Sequence, residues 1–179
     1  MRERVRFLGR LCVCVPLLWV LTVVLGGPAV AQTWPTRPVK LIVPYAPGGA
    51  TDVMARPWAE KLTQAYGQPF VIDNRGGASG AIGTEAAVRS APDGYTLLFT
   101  PGATLTVLPL LRKVNYDPRK DLIPVARVGD LVCGFVISPS LGISSIKELV
   151  DYAKRNPGKL AYGSAGLGTY SQMRIEMLK

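Results

Sequence analysis

Three short β-rich runs, each handing over through a glycine-bearing loop to a helical stretch, decide what this chain can fold into. The runs are residues 39–43 (VKLIV), 70–73 (FVID) and 95–99 (YTLLF). After the first, a helix is expected to about Tyr66, with Val53, Met54, Trp58 and Leu62 at near-helical spacing and Gly67 as its stop. Thr51 or Asp52 can cap it. Pro57 falls inside this stretch and predicts a kink, or a later start. A second helix is expected over about 81–89, and a small one over about 103–111. Strand and helix alternating in this way predict an α/β fold: a mostly parallel sheet with helices on both faces.

Tyr116-Asp117-Pro118 marks a change. Beyond it, 123–128 and 132–138 read as two more strands, with Gly129-Asp130 between them. The next helix starts near Ser144 or Ser145, where Ser145 and Glu148 have capping-box spacing, and stops at Asn156-Pro157-Gly158. Residues 160–163 read as another strand. A last helix begins near Tyr170 and, lacking a stop signal, is expected still to run at Lys179. Met173, Met177 and Leu178 give it an apolar face that needs a partner, so the pattern reads as that of a fragment.

The amino terminus is of a different kind. Arg2, Arg4, Arg6 and Arg10 precede an apolar run from Leu11 to Leu25, followed by Gly26, Gly27, Pro28 and Ala29-Val30-Ala31. A basic segment, a short apolar segment and an A-x-A site make a secretory signal peptide, cleaved after Ala31. The apolar run is shorter than the roughly 20 residues of a membrane span, and Pro16 interrupts it. Cys12 and Cys14 lie too early for a lipid anchor. The whole chain carries a net charge of +9, which becomes +6 once the leader's four arginines and one glutamate are gone. The remaining basic residues are scattered, in pairs at most, and do not form the stripe of a nucleic-acid binder. Cys133 alone survives cleavage. It stands in an apolar run (LVCGFVI) and reads as a small core residue.

Chemistry is narrowed further by what is missing. The sequence has no histidine, which removes histidine-dependent triads and imidazole metal sites. It has no Walker A motif and no G-x-S-x-G elbow, and G-x-x-G-x-x-G over 77–83 departs from the dinucleotide fingerprint. No nucleophile–base pair is visible, so no catalytic residue is assigned. The informative segments are the three glycine-bearing loops, 47–52, 76–80 and 163–169. Each follows a strand and opens a helix, where an open α/β sheet binds its ligands. Glycine admits close approach of the backbone, and the first N–H groups of a helix favour an anion. For any single loop, a tight turn alone is an equal reading; Asp52 can act as a cap, a ligand contact or both.

Taken together, WPTRPVKLIVPYAPGGATDVMAR, VIDNRGGASGAIGTEAAVRSAPDGYTLLF, YDPRKDLIPVARVG and YGSAGLGT, in this order, resemble the Bug/TctC family. These are periplasmic substrate-binding proteins of tripartite tricarboxylate transporters, and the resemblance runs from Trp34 to Lys179. It implies a periplasmic binding protein of type II-like fold, two lobes closing over a small carboxylate. Residues 1–31 are then the signal peptide, 32–120 the first lobe, and 121–179 the start of a second lobe that is incomplete. The resemblance places the ligand on Gly48, Gly49, Ala50, Thr51 and Asp52 from the first lobe, and on Gly168, Thr169 and Tyr170 from the second, with Tyr45 as a cleft wall. It implies a monomer without cofactor, metal or nucleic acid, working with the transporter's membrane subunits. A ligand-presenting component for a sensor kinase and a non-functional fragment are the alternatives. The chain departs from the family in carrying Gly76 after Asn74-Arg75, Pro57 where a helix former is usual, and Gln172 in place of a histidine. Family members are also about twice the mature length.

Overall fold

The computed structural model describes residues 33–179, so the expected leader lies outside the described residues. Arg37–Lys179 form one compact unit. Its centre is three parallel strands: β1 (Val39–Val43), β2 (Phe70–Asn74) and β3 (Thr96–Leu98), in the order β2-β1-β3. Val39 stands opposite Phe70 and Val43 opposite Asn74; on the other side Lys40 pairs with Thr96 and Ile42 with Leu98. The expected parallel α/β arrangement is thus what these residues build.

Helix α1 (Ala50–Tyr66) joins β1 to β2, and α2 (Ala81–Val88) joins β2 to β3. Side chains alternate along a strand, so Val39, Leu41 and Val43 share one face. They pack with Ala55 and Ala59 of α1 and with Phe70 into the main core. Ile42, 1% exposed, points to the opposite face. The crossover from β2 to β3 runs in the opposite direction to that from β1 to β2, so right-handed connections bring α2 to that opposite face. Full burial of each such side chain stabilises the fold by roughly 1.5–3 kcal/mol.

Local chemistry explains the boundaries. Gly67 ends α1 in the left-handed region (φ 69°), its N–H bonded to the Thr63 carbonyl at 2.9 Å. Pro57 does not break α1. It deprives the Val53 carbonyl of its donor, but Val53 is exposed and water can replace that bond. The helix expected over 103–111 is instead two short ones, α3 (Gly102–Thr106) and α4 (Leu108–Leu111). Pro109 has no N–H to offer the Leu105 carbonyl, and the helix breaks at Val107.

The remainder departs more from expectation. Helix α5 (Ile146–Arg155) begins as anticipated: Ser145 Oγ accepts from the Glu148 N–H at 3.2 Å. The return bond goes one residue further back, from the Ser144 N–H to the Glu148 carboxylate at 2.7 Å. Helix α6 (Tyr170–Glu176) is capped by Thr169 and ends at Glu176, short of Lys179. Residues 123–128, 132–138 and 160–163 form no ladder among the described residues. Without a neighbouring strand their β-branched side chains have nothing to pack against; Val132 and Val136 are fully open to solvent, and Cys133 is exposed and not a core residue. No helix among the described residues is long and apolar enough to cross a membrane.

Candidate functional site

In the order β2-β1-β3, the chain leaves β1 towards β2 and returns to β3 on the other side. The carboxyl ends of β1 and β3 therefore flank a topological switch point, where ligands bind in sheets of this kind. Tyr45 follows β1, and Thr104 lies in α3 just beyond β3. Their hydroxyls meet at 2.8 Å across this crevice, and Tyr45 also donates to the Ser79 carbonyl at 3.2 Å. Thr104 is buried and held from behind by Tyr116, whose hydroxyl donates to the Thr104 carbonyl at 2.8 Å. Burial pushes the Tyr45 phenol above its ordinary pKa, against a smaller opposing effect of the Thr104 hydrogen bond. Tyr45 thus stays neutral and keeps its hydrogen.

Between β1 and α1 the chain makes the first glycine-bearing loop. Gly48 lies in the left-handed region (φ 77°), and Gly49 is the N-cap of α1. Neither Thr51 nor Asp52 occupies the cap; they are the second and third residues of the helix, and no side chain caps it. The Asp52 carboxylate turns inward. One oxygen accepts from the Gly48 N–H at 2.8 Å and from Arg56 Nε at 2.9 Å; the other accepts from Asn74 Nδ2 at 3.0 Å. Asn74, at the end of β2, also donates to the Tyr45 carbonyl at 3.2 Å. One buried carboxylate therefore ties the loop to its own helix and to the next strand. The Gly48 N–H, then Asn74, hold its pKa below the ordinary carboxylate value, against the opposing effect of burial. The first N–H groups of α1 at Ala50 and Thr51 have no acceptor inside the helix. Gly48, Gly49 and Ala50 are exposed, while Thr51 and Asp52 are buried.

The loop before α6 is built differently. The Gly168 N–H donates to Gln172 Oε1 at 2.7 Å, the Thr169 N–H to the Gly166 carbonyl at 3.3 Å, and the Thr169 hydroxyl to that same carbonyl at 2.7 Å. Gly168 and Thr169 are buried, and their N–H groups are occupied within the loop. Gly168 lies against Leu108 and Leu111, and a Cβ on it would come within 3.1 Å of the latter. Tyr170 is more open, with its hydroxyl 3.1 Å from where a Cβ on Gly102 would stand. The structure thus brings Tyr45 and Tyr170 to the same end of the sheet, through Gly102 and Thr104 of α3. Gly168, Thr169 and Asp52 shape loops there, with their own polar groups already engaged. Sequence reading missed Asn74, Thr104 and Tyr116; an asparagine closing a strand and a threonine opening a short helix carry no motif of their own.

Known proteins can be set against this geometry. Residues 54–179 match the family model of the tripartite tricarboxylate transporter family receptor, TctC. The chain belongs to that family. Protein BugT of Bordetella pertussis is 41% identical over 164 residues, covering 90% of this chain and 50% of BugT. The solved periplasmic binding protein BugD is 35% identical with a TM-score of 0.66, covering 81% of this chain and 50% of BugD. An R. palustris protein solved with adipate is 40% identical with a TM-score of 0.64, covering 76% of this chain and 46% of that one. The TctC-family chain described here therefore spans about half the length of the curated relatives it matches. Its fold is that of periplasmic binding proteins.

Proposed function

We propose that this chain captures a small mono- or dicarboxylate outside the cytoplasm, as the solute-binding component of a tripartite tricarboxylate-type transporter. The carrying observation is the opening turn of α1. It is uncapped, stands at the switch point of the sheet, and has its one acidic side chain, Asp52, turned away into the loop. A carboxylate oxygen fits the Ala50 and Thr51 N–H groups, with Gly48 and Gly49 leaving room for it. Tyr45 forms one wall, its hydroxyl held by the Ser79 carbonyl and Thr104, and Tyr170 lies on the other side, beyond Gly102. Family membership and the adipate-bound relative support the ligand class. In this reading residues 1–31 direct export, 32–120 belong to the first lobe and 121–179 to the second, and the protein is a monomer that performs no chemistry on its ligand.

Titration calorimetry of the full gene product against linear mono- and dicarboxylates, with sugars and amines as controls, tests the reading. Carboxylates alone should bind. Gly49→Val should abolish binding while leaving a cooperative thermal transition, because a Cβ there meets the Ala46 carbonyl oxygen at 3.2 Å and forces the loop beneath the opening turn of α1 to shift. Binding only of sugars or cations, or undiminished affinity in Gly49→Val, would overturn it.

A further inference from the structure

The loop between β2 and α2 contains a conformation that its sequence does not favour. Gly77, Ala78, Ser79 and Gly80 follow one another at φ 126°, 50°, 57° and 92°. Two of these are glycines, at home there; Ala78 and Ser79 are the non-glycine residues with positive φ among the described residues. An L-residue held in this region is strained, and such strain is kept where the surroundings impose it for a purpose. The surroundings are specific. The Ser79 carbonyl accepts from Tyr45, and Gly80 lies against the Tyr45 ring and Thr104. On the other side, Ser79 Oγ stands 2.6 Å from where a Cβ on Gly166 would be, so Gly166 must be glycine for Ser79 to keep its place.

The hydroxyl itself has no structural employment. Ser79 caps neither the short 3-10 turn nor α2, and no protein group among the described residues pairs with its Oγ. A glycine would fit the backbone with less strain, so the side chain's contribution must lie elsewhere. Ser79 stands between Tyr45, next to the loop proposed above to hold the carboxylate, and Gly166 of the loop before α6.

We infer that Ser79 is a ligand-contacting residue that sets affinity and selectivity, its hydroxyl donating a hydrogen bond to an oxygen of the bound carboxylate. This rests on the carboxylate-capture reading above. The test compares wild type, Ser79→Ala and Ser79→Gly in the full gene product, by calorimetry with adipate, glutarate, succinate and hexanoate and by ligand-free thermal melting. Ser79→Ala should weaken the tightest of these acids about ten- to hundredfold, the size of one hydrogen bond to a charged group. Ser79→Gly should lose as much affinity yet melt about 2 °C or more higher, because the strain is relieved. That opposition of affinity and stability is not what a purely structural serine would give. Affinities of both variants within twofold of a wild type that binds would overturn the role of Ser79 alone. A wild type that binds none of the four acids would overturn the capture reading, and this inference with it.

Discussion

Residues 39–43 and residues 132–138 are both apolar and rich in β-branched side chains, yet they have opposite fates. The first is the central strand of a parallel sheet, with Val39 and Val43 fully buried between two partner strands and under a helix. The second has no ladder partner among the described residues, and Val132 is 97% exposed. Local preference is nearly the same; what differs is the company. Strand propensity expresses how well a side chain fits a pleated, half-buried surface, so it is realised only where that surface exists. The same contrast holds for the loops. The loop after β1 is anchored by a buried carboxylate and leaves helix N–H groups open, whereas the loop before α6 satisfies its own donors.

This contrast can be broken by experiment. Ile42→Ala, at the centre of the sheet, should cost about 2–5 kcal/mol of stability in urea unfolding. Gly83→Ala should follow at about 1–3 kcal/mol, since its Cβ would lie 2.6 Å from the Arg75 carbonyl oxygen and 2.7 Å from Pro44 Cα, both backbone atoms. A third experiment uses acid. The pKa of Asp52 is lower in the fold than in the unfolded chain, so the stability it lends is present above the ordinary carboxylate range and is lost as pH falls through the lowered value. Thermal melts from about pH 7 to about pH 3 should therefore decline less steeply in Asp52→Asn than in wild type. Glu148 and Glu176, also held low, titrate alike in both proteins. Smallest of all, Val132→Ser and Val136→Ser should each change stability by less than about 0.5 kcal/mol in the same urea assay. A loss comparable to that of Ile42→Ala would mean that this segment is packed after all.

What the sequence made legible follows the same division. All three strands of the sheet, the stop at Gly67 and the cap at Ser145 rest on local signals, hydrophobic period and cap chemistry, and were readable. The glycine loops after β1 and β2 were readable for the same reason, whereas the one over 163–169 follows no strand among the described residues. Four things were not. Pro57 was overestimated because the cost of a proline depends on whether the freed carbonyl meets water, which only burial decides. Asp52 looked like a cap or a ligand contact, and its bonds to Gly48 and Asn74 depend on β2 lying beside β1. Strands at 123–128 and 132–138 were read from composition, which carries no information about a partner. Tyr45 stood out as a residue of the site, but its link to Thr104 joins positions 59 apart in sequence.

The central claim is that the opening turn of α1 holds a carboxylate. A crystal structure of the full gene product with the tightest-binding acid tests it most directly. A carboxylate oxygen should lie within hydrogen-bonding distance of the Ala50 and Thr51 N–H groups, with Asp52 still facing Gly48 and Asn74. A carboxylate seated elsewhere, with only water over the first turn of α1, would contradict it.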